Sequence, residues 1–251
     1  MLQPHISYQF KATVWRFEID PISEILLAEI RDADNKQVSF ASVDLTSGKV
    51  NFDEMQTEER WLTGIEAAYN GVLLLHHYKS EFGPTHKGLI AIDALTGNTL
   101  WSNYTHAFDH LSVNGPIIYD ARIQPLQLFL ADIKTGATIR RHEASIDIDT
   151  DNQIVLPVEV TTAILKDLPL QIVPVGNSVH YLEHNNLRIV SLHTLVKGAL
   201  QQHLYIIDNK DIVYEDLLNT DIQKLQPESF LLFKDQLICL KNKSELKVLN
   251  L

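Results

Sequence analysis

Short runs of apolar residues, many alternating with polar ones at a period of two, recur from one end of the chain to the other, and small turn-forming groups separate them. Val38 to Val43, Leu89 to Ile92 and Leu126 to Ala131 are three such runs. Each is followed by the pattern D-x-x-[TS]-G: Asp44 to Gly48, Asp93 to Gly97 and Asp132 to Gly136. An Asp that opens a turn accepts hydrogen bonds from backbone N–H groups two or three residues on, and Gly supplies the positive φ that reverses the chain. Each copy therefore reads as a hairpin. Upstream, Asn70-Gly71 between Ile65–Tyr69 and Val72–Leu75, and Asn114-Gly115 before the third copy, mark a second kind of hairpin.

The repeated unit is thus strand, tight turn, strand, loop, strand, D-x-x-T-G turn, strand. A four-stranded antiparallel blade of this kind buries both faces only by stacking on others, which predicts an all-β fold, a β-propeller. Strands group at about 12–53, 62–103, 110–141, 170–206 and 228–251, so five blades are favoured, with six or an irregular propeller as alternatives and residues 1–251 as one domain. A fourth, degraded copy runs from Leu187 to Lys197-Gly198, without the Asp and with a longer turn. The last group shows three strands, and residues 6 to 10 are expected to supply its fourth. Two stretches fit poorly. In 208–227, Leu218, Ile222 and Leu225 fall at helical spacing, which suggests a surface helix or an extra blade; 143–169 suggests a polar hairpin between Ser145-Ile146 and Ile154-Val155-Leu156.

Ala91, Asp93, Thr96, Gly97 and Trp101 reproduce in order the A-x-D-x-x-T-G-x-x-x-W ending of blades in the pyrroloquinoline-quinone (quinoprotein) dehydrogenase-like propellers, which this segment resembles. The first copy has Phe52 at the Trp position and the third has Arg140. The resemblance implies the propeller fold. Quinoprotein chemistry is not expected, because those enzymes are larger and exported and commonly place a cysteine pair beside the cofactor, whereas Cys239 stands alone here. At full length the chain also resembles an uncharacterised bacterial family of about 250 residues, a domain of unknown function.

Composition narrows the partners. The 32 acidic residues outnumber 21 basic ones, and the net charge of −11 repels a phosphate backbone, so nucleic acid is not expected. No apolar run is long enough for a membrane span or an export signal, and the expected location is cytoplasmic. Cys239 lies in the apolar run Leu237–Leu240 and is expected to be a buried structural thiol.

Candidate chemistry gathers on the face opposite the tight turns, where the longer connectors fall and binding groups usually sit. Arg60, Trp61, His86, Tyr104, His106, Asp109 and His110 are the candidate ligand-binding residues. His86, His106 and His110 with Asp109 are also conceivable as a metal site. His-x-x-x-His aligns ligands on a helix, however, whereas Asn103–His110 joins two strands, so hydrogen-bonded or solvated histidines are favoured. Asp147 to Asn152 looks like a calcium loop but lacks the sixth-position Gly and the twelfth-position Glu. Trp101 is expected to pack between blades, as are Trp15 and Trp61 in preference to stacking on a sugar. Arg31 and Arg60 are expected to pair at the surface with Asp32, Glu58 or Glu59. No catalytic set and no cofactor is predicted. The leading expectation is a non-catalytic propeller binding a protein, peptide or small ligand; the alternative is a metal-assisted hydrolase or lyase.

Overall fold

The computed structural model describes residues 1–226 and 229–251; residue 228, where the strand pattern starts the last group, lies outside the described residues. The chain divides into two compact units, Ala12–Asn152 and a second made of Met1–Lys11 with Gln153–Leu251. Strand β1 (Ile6–Gln9) belongs to the second. The first unit begins with β2 (Thr13–Asp20), β3 (Ile25–Asp32), β4 (Gln37–Asp44) and β5 (Val50–Met55), paired in that order. Next come β6 (Thr63–Tyr69), β7 (Val72–Ser80), β8 (Gly83–Asp93) and β9 (Thr99–Asn103), then β10 (His106–Ser112), β11 (Gly115–Asp120), β12 (Leu128–Ala131) and β13 (Thr138–Arg141). Each group is an antiparallel meander.

In the second unit, β15 (Val158–Thr161), β16 (Ser178–His184), β17 (Leu187–Val196), β18 (Ala199–Asp208) and β19 (Asp211–Ile222) form a fourth sheet. The fifth has the order β1-β22-β21-β20-β14, from β14 (Ile154–Val155), β20 (Phe230–Phe233), β21 (Gln236–Lys241) and β22 (Glu245–Asn250). Among the described residues there are thus five antiparallel sheets, the blades of a five-bladed β-propeller class. As expected, the N-terminal strand completes the last blade, with Ile6 opposite Val248. No helix is long and apolar enough to cross a membrane.

The repeat forms the same turn three times. Oδ1 of Asp44 accepts from Ser47 N, that of Asp93 from Thr96 N and that of Asp132 from Thr135 N, at 2.7–2.8 Å. The N–H groups of Gly48, Gly97 and Gly136 donate to the carbonyls of those aspartates at 2.8–2.9 Å. These turns join the third strand of each blade to the fourth. They also bond the first-to-second turn at the same end, through Leu45 N to Glu24 O and Ala94 N to Gly71 O, both 2.9 Å.

Apolar residues of both faces of the inner strands carry the stacking. Leu27, Phe40, Ile65, Leu73 and Ile92 form one cluster between the first two blades, and Leu74, Leu89, Ile118 and Ile133 another between the second and third. In the other unit, Leu204, Ile206, Phe230 and Leu237 do the same. In the first two copies the residue four places after the repeat glycine seals the joint. The Phe52 ring lies against Gly97, and the Trp101 ring against Gly136, with its Nε1 donating to Ile133 O at 2.8 Å. In the third copy Arg140 holds that position and pairs with the buried Asp147 carboxylate at 2.5 Å. Cys239 is buried, and burial pushes its thiol up to about 12.

Several expectations are corrected. Residues 211–222 are a strand, not a helix: β18–β19 pairing slips at three places, and bulges break the period of two, so the adjacent residues Leu218 and Asn219 are both buried, while a spacing of four, as from Leu218 to Ile222, is shared by a strand face and a helix face. Ser145-Ile146 and Ile154-Val155 do not pair with each other. The first is a turn built around Asp147, and Ile154-Val155 pairs with Phe233-Leu232. The fourth blade starts at 158 rather than 170, and its Lys197-Gly198 turn is a tight two-residue hairpin with both φ positive, not a long one.

Candidate functional site

Polar side chains concentrate where the first two blades meet. Strand β3 is buried on both faces, so Glu29 and Arg31, two residues apart on one side of it, enter the interior together. Arg31 Nε donates to Glu29 Oε1 at 2.6 Å, while its other nitrogens donate to the carbonyls of Trp61 and Thr63 at 3.0 and 2.8 Å. Glu29 Oε2 accepts from Ile65 N at 2.8 Å. The guanidinium lies 4.8 Å from the Trp61 ring centroid and 5.8 Å from that of Tyr78. Surface pairing of Arg31 is therefore corrected: it is an interior stitch between blades. Trp61 serves that stitch, and neighbouring Arg60 is exposed, with its carbonyl accepting from Val38 N at 2.7 Å.

Above this layer two histidine rings stack on each other. His76 and His86 are parallel within 7° at a centroid separation of 3.5 Å, and Tyr78 meets both edge-on. Register explains the meeting. His86 stands opposite Tyr78, and Tyr78 is two residues from His76 on the same side of β7. Glu66 falls where β6 slips by one residue against β7, and Gly88 falls at a similar slip between β7 and β8. Bulges of this kind re-aim a side chain. Glu66 Oε2 lies 2.7 Å from His76 Nδ1 and 2.9 Å from His86 Nδ1. His76 is buried and His86 about one-third exposed, and burial lowers the His86 pKa from its ordinary value against the opposing pull of Glu66.

The nominated residues thus separate. His86 sits in strand β8 rather than a loop, and β7 and β8 continue almost to their turn. His106, Asp109 and His110 lie in strand β10, with Asp109 at a register slip. His110 Nδ1 bonds Asp109 Oδ2 at 2.7 Å, and His106 Nδ1 is 3.3 Å from Thr105 Oγ1. Among the described residues, the cluster with three ligand-type atoms within 4.8 Å is Glu66, His76 and His86, and it includes neither His106 nor His110. A cavity of about 350 Å³ does bring Glu66, Asp109 and His110 to common walls. Glu66 and His76 are not among the nominated residues, though His76 gathers in sequence with the other histidines of this blade and ends the apolar run Val72–Leu75, a usable signal.

Tyr104 lines a different feature, a cleft of about 730 Å³ between the first two blades. Met55, Leu62, Ile90 and Ile92 are its apolar lining; Glu58, Glu59, His77 and Lys87 line it as well. The Tyr104 ring stacks on His77 at 5.9 Å, and His77 Nδ1 is 3.1 Å from Thr63 Oγ1. The backbone N–H of Trp61 holds the Glu59 carboxyl below its ordinary pKa.

Burial lowers His77 and His86 in this unit, and His193 and His203 in the other, below 6.5. The unfolded chain then binds protons first as pH falls, so this contribution to stability is full above 6.5 and declines through the folded values. A lower urea midpoint at pH ~5.5 than at pH ~7.5 is the expected outcome, well above the carboxylate range of about 4.

The family described as "Domain of unknown function (DUF4905)" matches residues 19–101, about a third of the chain, from the end of β2 into β9. No curated protein matches the sequence. Among solved structures, BamB from Moraxella catarrhalis is similar at 8% identity and TM-score 0.36, over 100% of both chains. Raptor from Chaetomium thermophilum is similar at 9% identity and TM-score 0.39, over 98% of this chain and 28% of that one. The Dos1 propeller is similar at 9% identity and TM-score 0.32, over 100% of this chain and 76% of that one. The fold assignment rests on the sheets themselves.

Proposed function

We propose that this chain is a non-catalytic binding protein whose cleft between the first two blades takes a small or peptidic ligand with an apolar body and a positive charge. The split character of the cleft carries this reading: an apolar lining from Met55, Leu62, Ile90 and Ile92 beside the Tyr104–His77 stack, with Glu58 and Glu59 outnumbering Lys87, the single cation among the described lining residues. Its volume of about 730 Å³ falls in the range of roughly 300–1,000 Å³ that suits a bound small molecule. Glu59 is kept ionised by its backbone donors, and the net charge of −11 draws cations toward the protein. An aromatic face beside two carboxylates adds cation–π attraction.

The test is thermal unfolding of the full chain with a panel of lysine- and arginine-containing di- and tripeptides and polyamines. A ligand at a hundred times its Kd adds about 2.7 kcal/mol of stability, a readable rise in midpoint. The combined variant Glu58→Gln, Tyr104→Ala is expected to abolish the rise and leave the unliganded midpoint unchanged, since both side chains are exposed. No rise with any member of the panel, or an equal rise in the variant, overturns the assignment.

A further inference from the structure

We infer that Glu66, His76 and His86 form a binding site for a divalent transition-metal ion of the zinc type. The cluster lies apart from the cleft and does not depend on it. Two imidazoles and one carboxylate suit zinc, cobalt, nickel or copper; calcium and magnesium prefer six or more oxygen ligands.

Three observations converge on the same point. First, Nδ1 of both histidines reaches the same oxygen, Glu66 Oε2, at 2.7 and 2.9 Å. Second, His76 is 1% exposed and neither of its ring nitrogens makes a hydrogen bond among the described residues: Nδ1 approaches Glu66 out of alignment. Buried polar atoms are rarely left without a partner, and a metal ion is a partner to which an imidazole nitrogen can give its lone pair. Third, the surroundings keep the three side chains together. The His76 ring occupies the space beside Gly64, where a Cβ would come within 3.1 Å of it, and Tyr78 braces both imidazoles edge-on.

Ligand atoms around tetrahedral zinc stand about 3.3 Å apart, given bonds of roughly 2.0–2.1 Å, and each imidazole lone pair lies in its ring plane, so loading opens the cluster by about half an ångström and tilts the two rings out of their parallel stack. The one-third exposure of His86 and the cavity of about 350 Å³ beside Glu66 give an ion a route in and room for a water as a fourth ligand. Asp109 and His110 line the same cavity as Glu66.

The experiment is calorimetric titration of Zn²⁺ into the full-length chain after removal of any polyhistidine tag, with the visible absorption of bound Co²⁺ as a second readout. One site is expected, with visible bands from Co²⁺ bound through nitrogen and oxygen, and with no competition from millimolar Mg²⁺ or Ca²⁺. Loss of a supporting residue around a metal site costs 10–100-fold in affinity, so His86→Ala and Glu66→Gln, which remove direct ligands, are expected to weaken binding by at least about tenfold. His106→Ala is expected to leave it unchanged. Circular dichroism identifies any variant that fails to fold, and Glu66→Gln, which keeps the side-chain shape, remains decisive if His86→Ala does. No uptake by the unaltered chain, or equal affinity and an unchanged Co²⁺ spectrum in Glu66→Gln, overturns the site.

Discussion

Gly136→Ala is expected to destabilise the first unit by about 2–4 kcal/mol, far more than alanine at most other turn glycines. Two terms add. Gly136 has φ +72°, and an L-residue held there costs about 1 kcal/mol. A Cβ at this position would also come within 2.6 Å of Trp101 Cδ2 and 2.8 Å of Cε3, and overpacking of this kind costs about 1–3 kcal/mol. The indole has no easy escape, because its Nε1 is bonded to Ile133 O. Gly71→Ala in the same unit is the matched comparison: φ is +78°, but the nearest atom, Ser23 Oγ, is 3.7 Å from the Cβ position, so only the backbone term of about 1 kcal/mol remains. Urea unfolding of both variants measures the difference. Equal losses would show that the tryptophan does not press on the turn of the next blade.

Glu29→Ala should be comparably damaging, at about 3–5 kcal/mol, because it leaves one member of a buried ion pair behind. Arg31 would then stay beneath Trp61 with only carbonyl partners, and Ile65 N–H would lose its acceptor. The stitch ties β3 to the entry of β6, so the loss falls on the joint between two blades. The double variant Glu29→Leu, Arg31→Met is expected to recover most of the stability, since apolar side chains of similar volume remove both charges together. Midpoints from chemical unfolding of the single and double variants check this. A cost below about 1 kcal/mol for Glu29→Ala, the size seen for exposed pairs, would mean that water reaches the guanidinium.

The blade repeat was legible because its signals are local. An Asp binding N–H groups two or three residues on, an Asn-Gly reversal and a buried alternating strand each need only their own few residues, and they placed the hairpins of the first unit correctly. Trp101 was legible for a related reason: it stands four places after its repeat glycine, as Phe52 does, and in both copies the turn of the next blade meets the ring. Residues 211–222 misled for the opposite reason. Bulges there are set by the partner strand β18, and the apolar spacing imitated a helix.

The candidate site depended on the same non-local feature. The sequence groups His86, His106 and His110 on loops of one face, yet all three are in strands, and the slip at Glu66 brings that carboxylate to His76 and His86 instead. A slip of one residue moves a side chain from one face of a sheet to the other, and nothing in a single strand's composition records it. By itself, then, the chain's order of residues determined the all-β class, the repeating hairpins and the N-terminal strand that completes the last blade, since these follow from turn chemistry and apolar periodicity. Only tertiary structure decided which polar groups became neighbours: the Glu29–Arg31 stitch, the stacked histidines and the cleft beside Tyr104 arise from register and blade packing, where contacts join residues far apart in sequence.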